Sequence, residues 1–436
     1  MSAPAFDHAQ TTDARTTDDR TDAPPSAPRA PSAAGRLFLW VLGRIGRDWR
    51  GPGLVIETPE GQTHAFGPCS GGPCSVAPGP GAPSGEPARL VIHDWRMVRR
   101  GLTGGDIGLA EGYMAGEWDT PDLARLLIVF ADNFERLGRF ASGAGLSRAV
   151  EWFRHNLGRL NTRRGARRNI VAHYDLGNAF YARWLDRSMT YSSAFWPTPD
   201  LSLEEAQEAK YAALADSIDL QPGHRVLEIG CGWGGFAEYA ARRGCTVVGL
   251  TLSPSQRDFA VARMEAAGLS DRVEIRLRDY RDETQTFDRI VSIEMFEAVG
   301  QQWWPTYFRQ VRDRLKPGGR AGLQIITIRD DLFAGYRKRV DFIQRYVFPG
   351  GMLPSRARLL ELAADHDLTF DHERSLGLDY ARTLNLWDQR YRRQPSGMDA
   401  TFDRLWRFYL AYCEAGFATR RTDVLQLALS APETAG

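Results

Sequence analysis

The chain has few cysteines, no excess of either charge and no long apolar run. Its 436 residues include 55 basic and 54 acidic side chains, for a net charge of +1, so no global field favours a nucleic-acid partner. No apolar run approaches the ~18 residues that a membrane span requires. The five cysteines form no C-x-x-C pair, and Cys69 and Cys74 lie in a Gly/Pro loop. We therefore predict no metal site.

The first 34 residues contain almost no large apolar side chains. Such a composition predicts a disordered tail, and it lacks the apolar centre of a secretory signal. We expect a cytoplasmic protein. The length of the chain favours two folded units. Residues 35–150 read as a small α+β domain, with an amphipathic helix over 36–49 and a hairpin over 51–66, but with no catalytic constellation of its own.

The segment 151–169 contains six arginines together with Trp152 and Phe153. One interpretation is a solvated helix face. The other is a peripheral contact with an anionic membrane, since basic residues beside interfacial aromatic rings suit a lipid surface. Composition alone leaves both interpretations open.

The most informative stretch is a predicted buried strand, 225–229, followed by Gly230, Gly232 and Gly234 and then by a helix from about Gly235. Glycines at such a turn allow a backbone to approach a ligand closely. The next strand ends in Thr251, where nicotinamide enzymes of this layout usually have an acidic residue. With Glu228 just before the glycines, the stretch instead resembles motif I of S-adenosylmethionine (SAM) methyltransferases.

Three more predicted strands, 273–277, 287–293 and 320–328, complete the pattern of a parallel sheet. Ligands bind such sheets at the carboxyl ends of the strands. Four of these ends carry distinctive residues, namely the glycines, Thr251, Asp279-Tyr280 and the segment 294–297. We therefore predict a catalytic domain over 151–436 with its ligand site at this edge.

Several peptides in order resemble the cyclopropane-fatty-acyl-phospholipid synthase family, which includes the mycolic acid cyclopropane synthases. They are His173-Tyr-Asp-Leu-Gly-Asn, Met189-Thr-Tyr-Ser-Ser, the segments 228–235 and 251–256, Met295-Phe-Glu-Ala-Val-Gly, Leu315-Lys-Pro-Gly-Gly, Phe348-Pro-Gly-Gly-Met-Leu-Pro and Tyr380-Ala-Arg-Thr-Leu-Asn-Leu-Trp. The resemblance implies an α/β, Rossmann-like SAM methyltransferase fold with a mostly parallel seven-stranded sheet and a smaller N-terminal α+β domain. It also implies action on unsaturated acyl chains of membrane phospholipids, peripheral contact with the inner face of the membrane, and the option of a homodimer.

The same resemblance implies the residues that contact SAM. They are Tyr191, Ser192, Glu228, Gly230, Cys231, Gly232, Gly234, Thr251, Leu252, Ser253, Gln256, Tyr280 and Arg281. Hydroxyl and amide groups in this set suit a ribose or a carboxylate, and the ring of Tyr280 suits an adenine.

The catalytic residues implied by the resemblance are Ser193, Glu297 and Tyr380. In the family a bound bicarbonate removes a proton from the methylated chain and a cyclopropane ring closes. Positions 193, 297, 326, 328 and 380 correspond to its pocket, but Ser193 replaces cysteine and Ile326 replaces histidine. Loss of that donor would cost a buried anion about 1.5–3 kcal/mol. We hypothesise that Glu297, held with Tyr380, is either the anchor of the anion or the base itself.

The altered pocket leaves the product open. Ring closure would give a cyclopropane, whereas loss of a different proton would give a methyl or methylene branch or a precursor of a furan fatty acid. Two further alternatives are a lipid- or SAM-binding relative without turnover and a methyltransferase of a soluble small molecule.

Overall fold

The computed structural model describes residues 33–45, 49–67, 86–140 and 176–433. Its N-terminal part is a four-stranded sheet with three helices. The strands are β1 (Leu54–Glu57), β2 (Thr63–Phe66), β3 (Ala88–Ile92) and β4 (Trp118–Asp119), in the order β2-β1-β3-β4. The helices are α1 (Ala33–Ile45), α2 (Arg96–Met114) and α3 (Leu123–Phe140). The predicted hairpin is present as the antiparallel pair β1–β2.

The larger part of the chain is a seven-stranded sheet flanked by helices. Its strands are β5 (Arg225–Ile229), β6 (Thr246–Thr251), β7 (Val273–Leu277), β8 (Phe287–Ile293), β9 (Leu315–Ile328), β10 (Thr369–Ser375) and β11 (Thr422–Ser430). Their order is β10-β11-β9-β8-β5-β6-β7, and β11 runs antiparallel to both of its neighbours. The pairs β9–β8, β8–β5, β5–β6 and β6–β7 are parallel. The predicted α/β, mostly parallel seven-stranded sheet is therefore confirmed.

The helices of this part follow the strands in the expected alternation. They are α4 (Asn178–Tyr181), α5 (Leu203–Ser217), α6 (Gly235–Arg242), α7 (Pro254–Ala266), α8 (Trp304–Arg314), α9 (Asp330–Tyr336), α10 (Phe342–Tyr346), α11 (Arg356–Ala364), α12 (Gly377–Arg393) and α13 (Ala400–Ala418). Ser253 caps α7 by accepting a hydrogen bond from the backbone N–H of Gln256, and Pro254 is the first helical residue, as the sequence predicts.

Two elements differ from the sequence-based expectation. The sequence pattern predicts a helix from Ile107 to Met114, but α2 begins earlier, at Arg96, and bends at Gly105, whose backbone is not helical. The last predicted strand and helix region covers residues 368–417, and β11 lies beyond it, although it is inserted between β9 and β10. It is almost fully buried, so its apolar run does not alternate and carries no strand-like period.

The N-terminal sheet packs on the larger part through α13. The guanidinium of Arg404 on this helix donates to the backbone oxygen of Trp118 (2.8 Å), and the rings of Trp118 and Phe408 meet edge to face. One continuous apolar core joins both parts. The proposed boundary at residue 150, the arginine-rich segment 151–169, Cys69, Cys74 and the tail up to residue 32 lie outside the described residues. Within the described ranges, each helix is too short or too polar to cross a bilayer.

Candidate active site

The turn after β5 is shaped for close approach of a ligand. Gly230, Gly232 and Gly234 have φ values of 82°, 51° and 82°, which side chains rarely tolerate. A Cβ atom added at Gly230 would lie 2.7 Å from Cγ of Met295. Gly230 and Gly232 line a cavity of about 1280 Å³, and α6 begins directly after Gly234 with its N-terminal backbone amides near this turn.

Glu228 reaches the same cavity from inside β5. Its side chain is buried, and its Oε2 has no hydrogen-bond partner among the described residues. Burial raises the pKa of Glu228 to about 8, against the charges of Lys210 and Arg263, which lower it. A glycine cradle beside an unpartnered buried carboxyl suits a polar ligand that brings its own hydrogen-bond donors.

The ends of β6 and β7 form a second wall of the cavity. Thr251 donates its hydroxyl hydrogen to Oε1 of Gln256 (3.0 Å). The ring of Tyr280 packs edge to face on that of Tyr307, with centroids 5.4 Å apart. Arg281 donates to a carboxylate oxygen of Asp279 (2.6 Å). An aromatic ring beside paired hydroxyl and amide groups can bind a nucleoside.

Two partly buried glutamates follow β8 and face the cavity. Glu294 Oε1 accepts hydrogen bonds from the backbone N–H of Ser193 (2.9 Å) and from the amide of Gln324 (2.8 Å), and Tyr380 also donates to this carboxylate. The backbone N–H of Ile326 donates to Glu297 Oε1. Glu297 Oε2 is buried with no partner in the described parts of the chain. Burial, followed by the charge of Glu294, raises the pKa of Glu297 to about 8.

A buried lysine stands behind this wall. Lys210 on α5 is completely buried, and its Nζ donates to Ser192 Oγ (2.6 Å). Burial lowers the pKa of Lys210 to about 7, against the charges of Glu294, Asp186 and Glu228. The amide of Gln426 on β11 donates to the backbone oxygen of Lys210 (3.2 Å). Lys210 thus ties the Tyr191–Ser193 segment to the acidic end of the sheet.

The rest of the cavity is mostly apolar and aromatic. Ile326, Ile328 and Tyr380 line it beside side chains of α13. The same cavity is also lined by Leu37 and Trp40 of α1, which are 52% and 58% exposed. An apolar channel therefore joins the polar end of the sheet to a surface of the N-terminal part.

A comparison with protein families matches residues 161–427 to the family model described as mycolic acid cyclopropane synthetase. The chain belongs to this family. It is 37% identical to the tuberculostearic acid methyltransferase UfaA1 of Mycobacterium tuberculosis over 97% of each chain. It is 36% identical to the cyclopropane-fatty-acyl-phospholipid synthase of Escherichia coli, over 79% of this chain and 88% of that protein.

Solved structures of the family have the same fold. Mycolic acid cyclopropane synthase CmaA1 in complex with SAH and CTAB superposes with a TM-score of 0.57 at 30% identity, covering 61% of this chain and 98% of that one. The cyclopropane synthase MmaA2 from Mycobacterium tuberculosis gives the same TM-score at 31% identity, again over 61% and 98%. The protein is a SAM-dependent methyltransferase that modifies lipid chains.

Most residues that the sequence singled out meet in this methyltransferase cavity. Those that line it are Tyr191, Ser192, Glu228, Gly230, Cys231, Gly232, Thr251, Leu252, Gln256, Tyr280, Arg281, Glu297 and Tyr380. Ser253 and Gly234 do not line it. Ser253 Oγ caps α7 and contacts Ser255, and Gly234 packs against Ala260. These two residues shape the loops rather than present a group to the cavity.

Two expectations about the catalytic residues need correction. Ser193 is completely buried and donates its hydroxyl hydrogen to the backbone oxygen of Ala194 (2.8 Å), so this hydroxyl is not directed at the cavity. Tyr380 is paired with Glu294 rather than with Glu297. The reason is register, because Glu294 follows β8 directly and lies across from Gln324 of β9.

The residues at the expected bicarbonate site do not fit a bound anion. Ile326 offers no side-chain donor, and its backbone N–H is used by Glu297. The backbone N–H of Ser193 and the hydroxyl of Tyr380 already bind the carboxylate of Glu294. A second anion would meet two buried carboxyl groups with few donors remaining.

Sequence reasoning missed the roles of Lys210, Gln324 and Glu294. A signal for Lys210 existed, because Gln207, Lys210 and Leu214 recur at helical spacing on one face of α5, and all are buried. Glu294 was recognised only as part of a distinctive strand end. Its pairing with Ser193 and Gln324 depends on contacts across 101 and 30 residues of chain, respectively, which the sequence does not reveal.

We expect Gly230→Ala to destabilise the protein by about 2 kcal/mol and to weaken SAM binding at least tenfold, because the added Cβ is strained at this φ and collides with Met295. Gly268→Ala is the matched control, since Gly268 has φ +67° but nothing within 4 Å of the added atom. It should lose about 1 kcal/mol and keep its SAM affinity. Urea unfolding and calorimetric titration measure the two effects. Equal SAM affinity of both variants would contradict the close approach inferred at Gly230.

Proposed function

We propose that this protein transfers the methyl group of SAM to the double bond of an unsaturated acyl chain in a phospholipid and yields a methyl- or methylene-branched product. The observation that supports a branch is the altered anion site. The donors at Ser193 and Tyr380 are occupied by Glu294, and Ile326 offers none. A relative that matches over 97% of the chain is named a tuberculostearic acid methyltransferase, and this name speaks of methyl transfer and not of ring formation.

The proposed SAM site uses the walls described above. SAM supplies an activated methyl group when it is bound. The unpartnered Oε2 of Glu228 is suited to accept hydrogen bonds from its ammonium group, since the buried oxygen otherwise remains unsatisfied. In the proposed site Thr251 and Gln256 bind ribose hydroxyls and Tyr280 with Arg281 flanks the adenine, and this is supported by the position of all four residues on the cavity wall. Tyr191 and Ser192 close the cavity above the glycine turn.

The proposed acyl site is the apolar channel between Ile326 and α1. Its lining fits a hydrocarbon chain, since it consists mainly of aliphatic and aromatic side chains. The reacting double bond would lie between the SAM loop and the glutamates after β8. Such a channel also excludes water from the cation formed after methyl transfer.

Ring closure is the second candidate function. It is favoured by the 36% identity to a cyclopropane-fatty-acyl-phospholipid synthase and by the retention of Glu297, Ile328 and Tyr380 at the cavity. The two candidates share the methyl transfer and differ in the fate of the cation. Ring closure loses a proton from the transferred methyl group, a methyl branch loses a proton from the chain, and a methylene branch loses a methyl proton after a 1,2-hydride shift.

The direct test uses labelled SAM and two kinds of vesicle. We expect label to enter the acyl chains of dioleoyl phosphatidylglycerol vesicles, and we expect none in vesicles of the corresponding saturated lipid. A preference for a short water-soluble acceptor over the unsaturated vesicle would instead support methylation of a soluble molecule. Binding of SAM with no transfer to any unsaturated chain would support a relative without turnover.

The acyl channel also suggests how the protein meets a membrane. Leu37 and Trp40 are exposed where they line it, and the guanidinium of Arg44 lies over the Trp40 ring. Arg36 and Arg44 flank these apolar side chains, as in interfacial helices. We propose that α1 docks on the inner face of the cytoplasmic membrane and admits an acyl chain. A homodimer stays a prediction.

We expect Trp40→Ala to reduce both vesicle binding and turnover on vesicles about tenfold, because a large apolar side chain at a lipid surface contributes about 1–2 kcal/mol. Leu378→Ala is the control, since Leu378 is 56% exposed but does not line the channel. Flotation and turnover on vesicles measure the effects, with a detergent-dispersed substrate as reference. An equal loss in both variants would contradict docking by α1.

A further inference from the structure

The carboxylate of Glu294 at the cavity wall has one hydrogen-bond acceptor site left after its donors within the protein are counted. Three donors reach its carboxylate, namely the backbone N–H of Ser193, the amide of Gln324 and the hydroxyl of Tyr380. An ionised carboxylate has about four acceptor sites. Since Glu294 lines the cavity, the remaining acceptor site is available to a group inside it.

The backbone at Glu294 is held in an unusual conformation. Its φ is 50°, in the left-handed region that is uncommon for a residue with a long side chain. Its N–H donates to the backbone oxygen of Gln324 (2.8 Å), so the strand end keeps this geometry. Strained backbone of this kind clusters at sites where a side chain must be aimed.

Glu294 has more support for a negative charge than Glu297. Burial raises the pKa of both carboxyl groups, that of Glu297 to about 8. At Glu294 the donors described above and the charge of Lys210 act against this rise. Glu297 accepts from the backbone N–H of Ile326, and the charge of Glu294 raises its pKa further. Of the two neighbouring carboxyls, Glu294 therefore has the surroundings that better stabilise the ionised form of a base.

We propose that Glu294 is the base that removes the proton from the methylated acyl chain, so that the reaction requires no bound anion. This inference rests on the proposed function. The π electrons of the alkene form the bond to the methyl carbon as the bond from that carbon to sulfur breaks. For a methyl branch, the cation left on the chain loses a chain proton to the carboxylate of Glu294, and the C–H electrons form a new C=C bond. For a methylene branch, a hydride first shifts from the methylated carbon to the neighbouring cationic carbon, and the proton that Glu294 removes then comes from the transferred methyl group. Glu294 becomes a neutral acid and returns its proton to solvent after product release.

The first test compares turnover on dioleoyl phosphatidylglycerol vesicles in CO2-free buffer with and without added bicarbonate. We expect wild-type turnover to change by less than twofold. The turnover of Glu294→Gln should fall at least a hundredfold, while its affinity for SAM stays within threefold of the wild-type value. Glu414→Gln is the matched control, because Glu414 also has a pKa raised by burial, to about 7, but lies outside the cavity. Its turnover should stay within threefold of the wild type.

The second test uses Glu294→Gly, which suits the positive φ and leaves the donors at Ser193, Gln324 and Tyr380 in place. We expect this variant to be inactive in CO2-free buffer. Its turnover should rise at least tenfold on addition of bicarbonate or formate, which can take the position of the lost carboxylate. Such rescue separates a missing base from a misfolded protein.

Three results would overturn the inference while the proposed function stands. They are a wild-type enzyme that depends on bicarbonate, a Glu294→Gln variant that keeps more than a tenth of wild-type turnover, and a Glu294→Gly variant that binds SAM but is not rescued. A wild-type protein that binds SAM and transfers no methyl group to any unsaturated chain would remove the proposed function and the base together.

Discussion

Lys210→Met should destabilise the protein by about 3 kcal/mol and lower turnover by more than a hundredfold. Removing one member of a buried charge cluster is costly because the remaining charges lose their compensation. Here Glu294 and Glu228 would lose a cation that lowers both of their pKa values, and Ser192 Oγ would lose its donor at 2.6 Å. The segment that carries Tyr191 would then be less firmly held over the cofactor loop.

Lys316→Met is the control for this prediction. Lys316 forms an ion pair with Asp288 at 2.7 Å, but its side chain is 45% exposed, so its loss should cost less than about 1 kcal/mol. Urea unfolding gives the stability of each variant, and calorimetric titration gives its SAM affinity. Equal stability of the two variants, or wild-type turnover of Lys210→Met, would mean that the buried lysine does not organise the site.

Glu297→Gln should change how stability depends on pH. The pKa of Glu297 is raised from 4.5 to about 8, by burial and then by Glu294, so the folded state holds its proton more tightly than the unfolded state. Its stabilising contribution is fully present below pH 4.5 and is lost as the pH rises through 8. At about 1.4 kcal/mol per pKa unit, the loss is at most about 5 kcal/mol. Glu297→Gln has no ionisable group at this position, so its stability does not fall in this way as the pH rises.

Urea unfolding at pH 5 and at pH 8 measures this effect. We expect Glu297→Gln to gain about 2 kcal/mol relative to the wild type between the two conditions. Glu205→Gln is the control and should show no such gain, because hydrogen bonds from Ser202 lower the pKa of Glu205 below 4.5 and the folded protein therefore holds it ionised at both pH values. No relative gain for Glu297→Gln would show that Glu297 is ionised in the folded protein, and Glu297 would then be as good a candidate for the base as Glu294.

Local patterns predicted the elements that position the site. The apolar run before Gly230 and the N-cap residue Ser253 marked the ends of β5 and β6. Since these strands are parallel, both ends lie at the same edge of the sheet. These features depend on neighbours within one or two turns of the chain. The hairpin at residues 51–66 and the family resemblance were recovered for the same reason.

The chemistry between distant segments was not predictable in this way. The pairing of Tyr380 with Glu294 instead of Glu297 depends on how α12 lies over the end of β8, across more than 80 residues of sequence. The burial of Lys210 depends on α5 packing on β9 and β11. Likewise, the sequence indicated that α1 is amphipathic, but only the tertiary structure shows that its apolar side chains line the cavity.

The most direct measurement of the central claim identifies the product made from SAM with a trideuterated methyl group and dioleoyl phosphatidylglycerol vesicles. Mass spectrometry counts the deuterium in the released acyl chains, and NMR locates the new carbon. We predict a chain that carries one new carbon and retains a C=C bond. Three deuteriums would identify a methyl-branched alkene, and two deuteriums with a C=C bond would identify a methylene branch. Two deuteriums with cyclopropane ring signals and no C=C bond would contradict the claim.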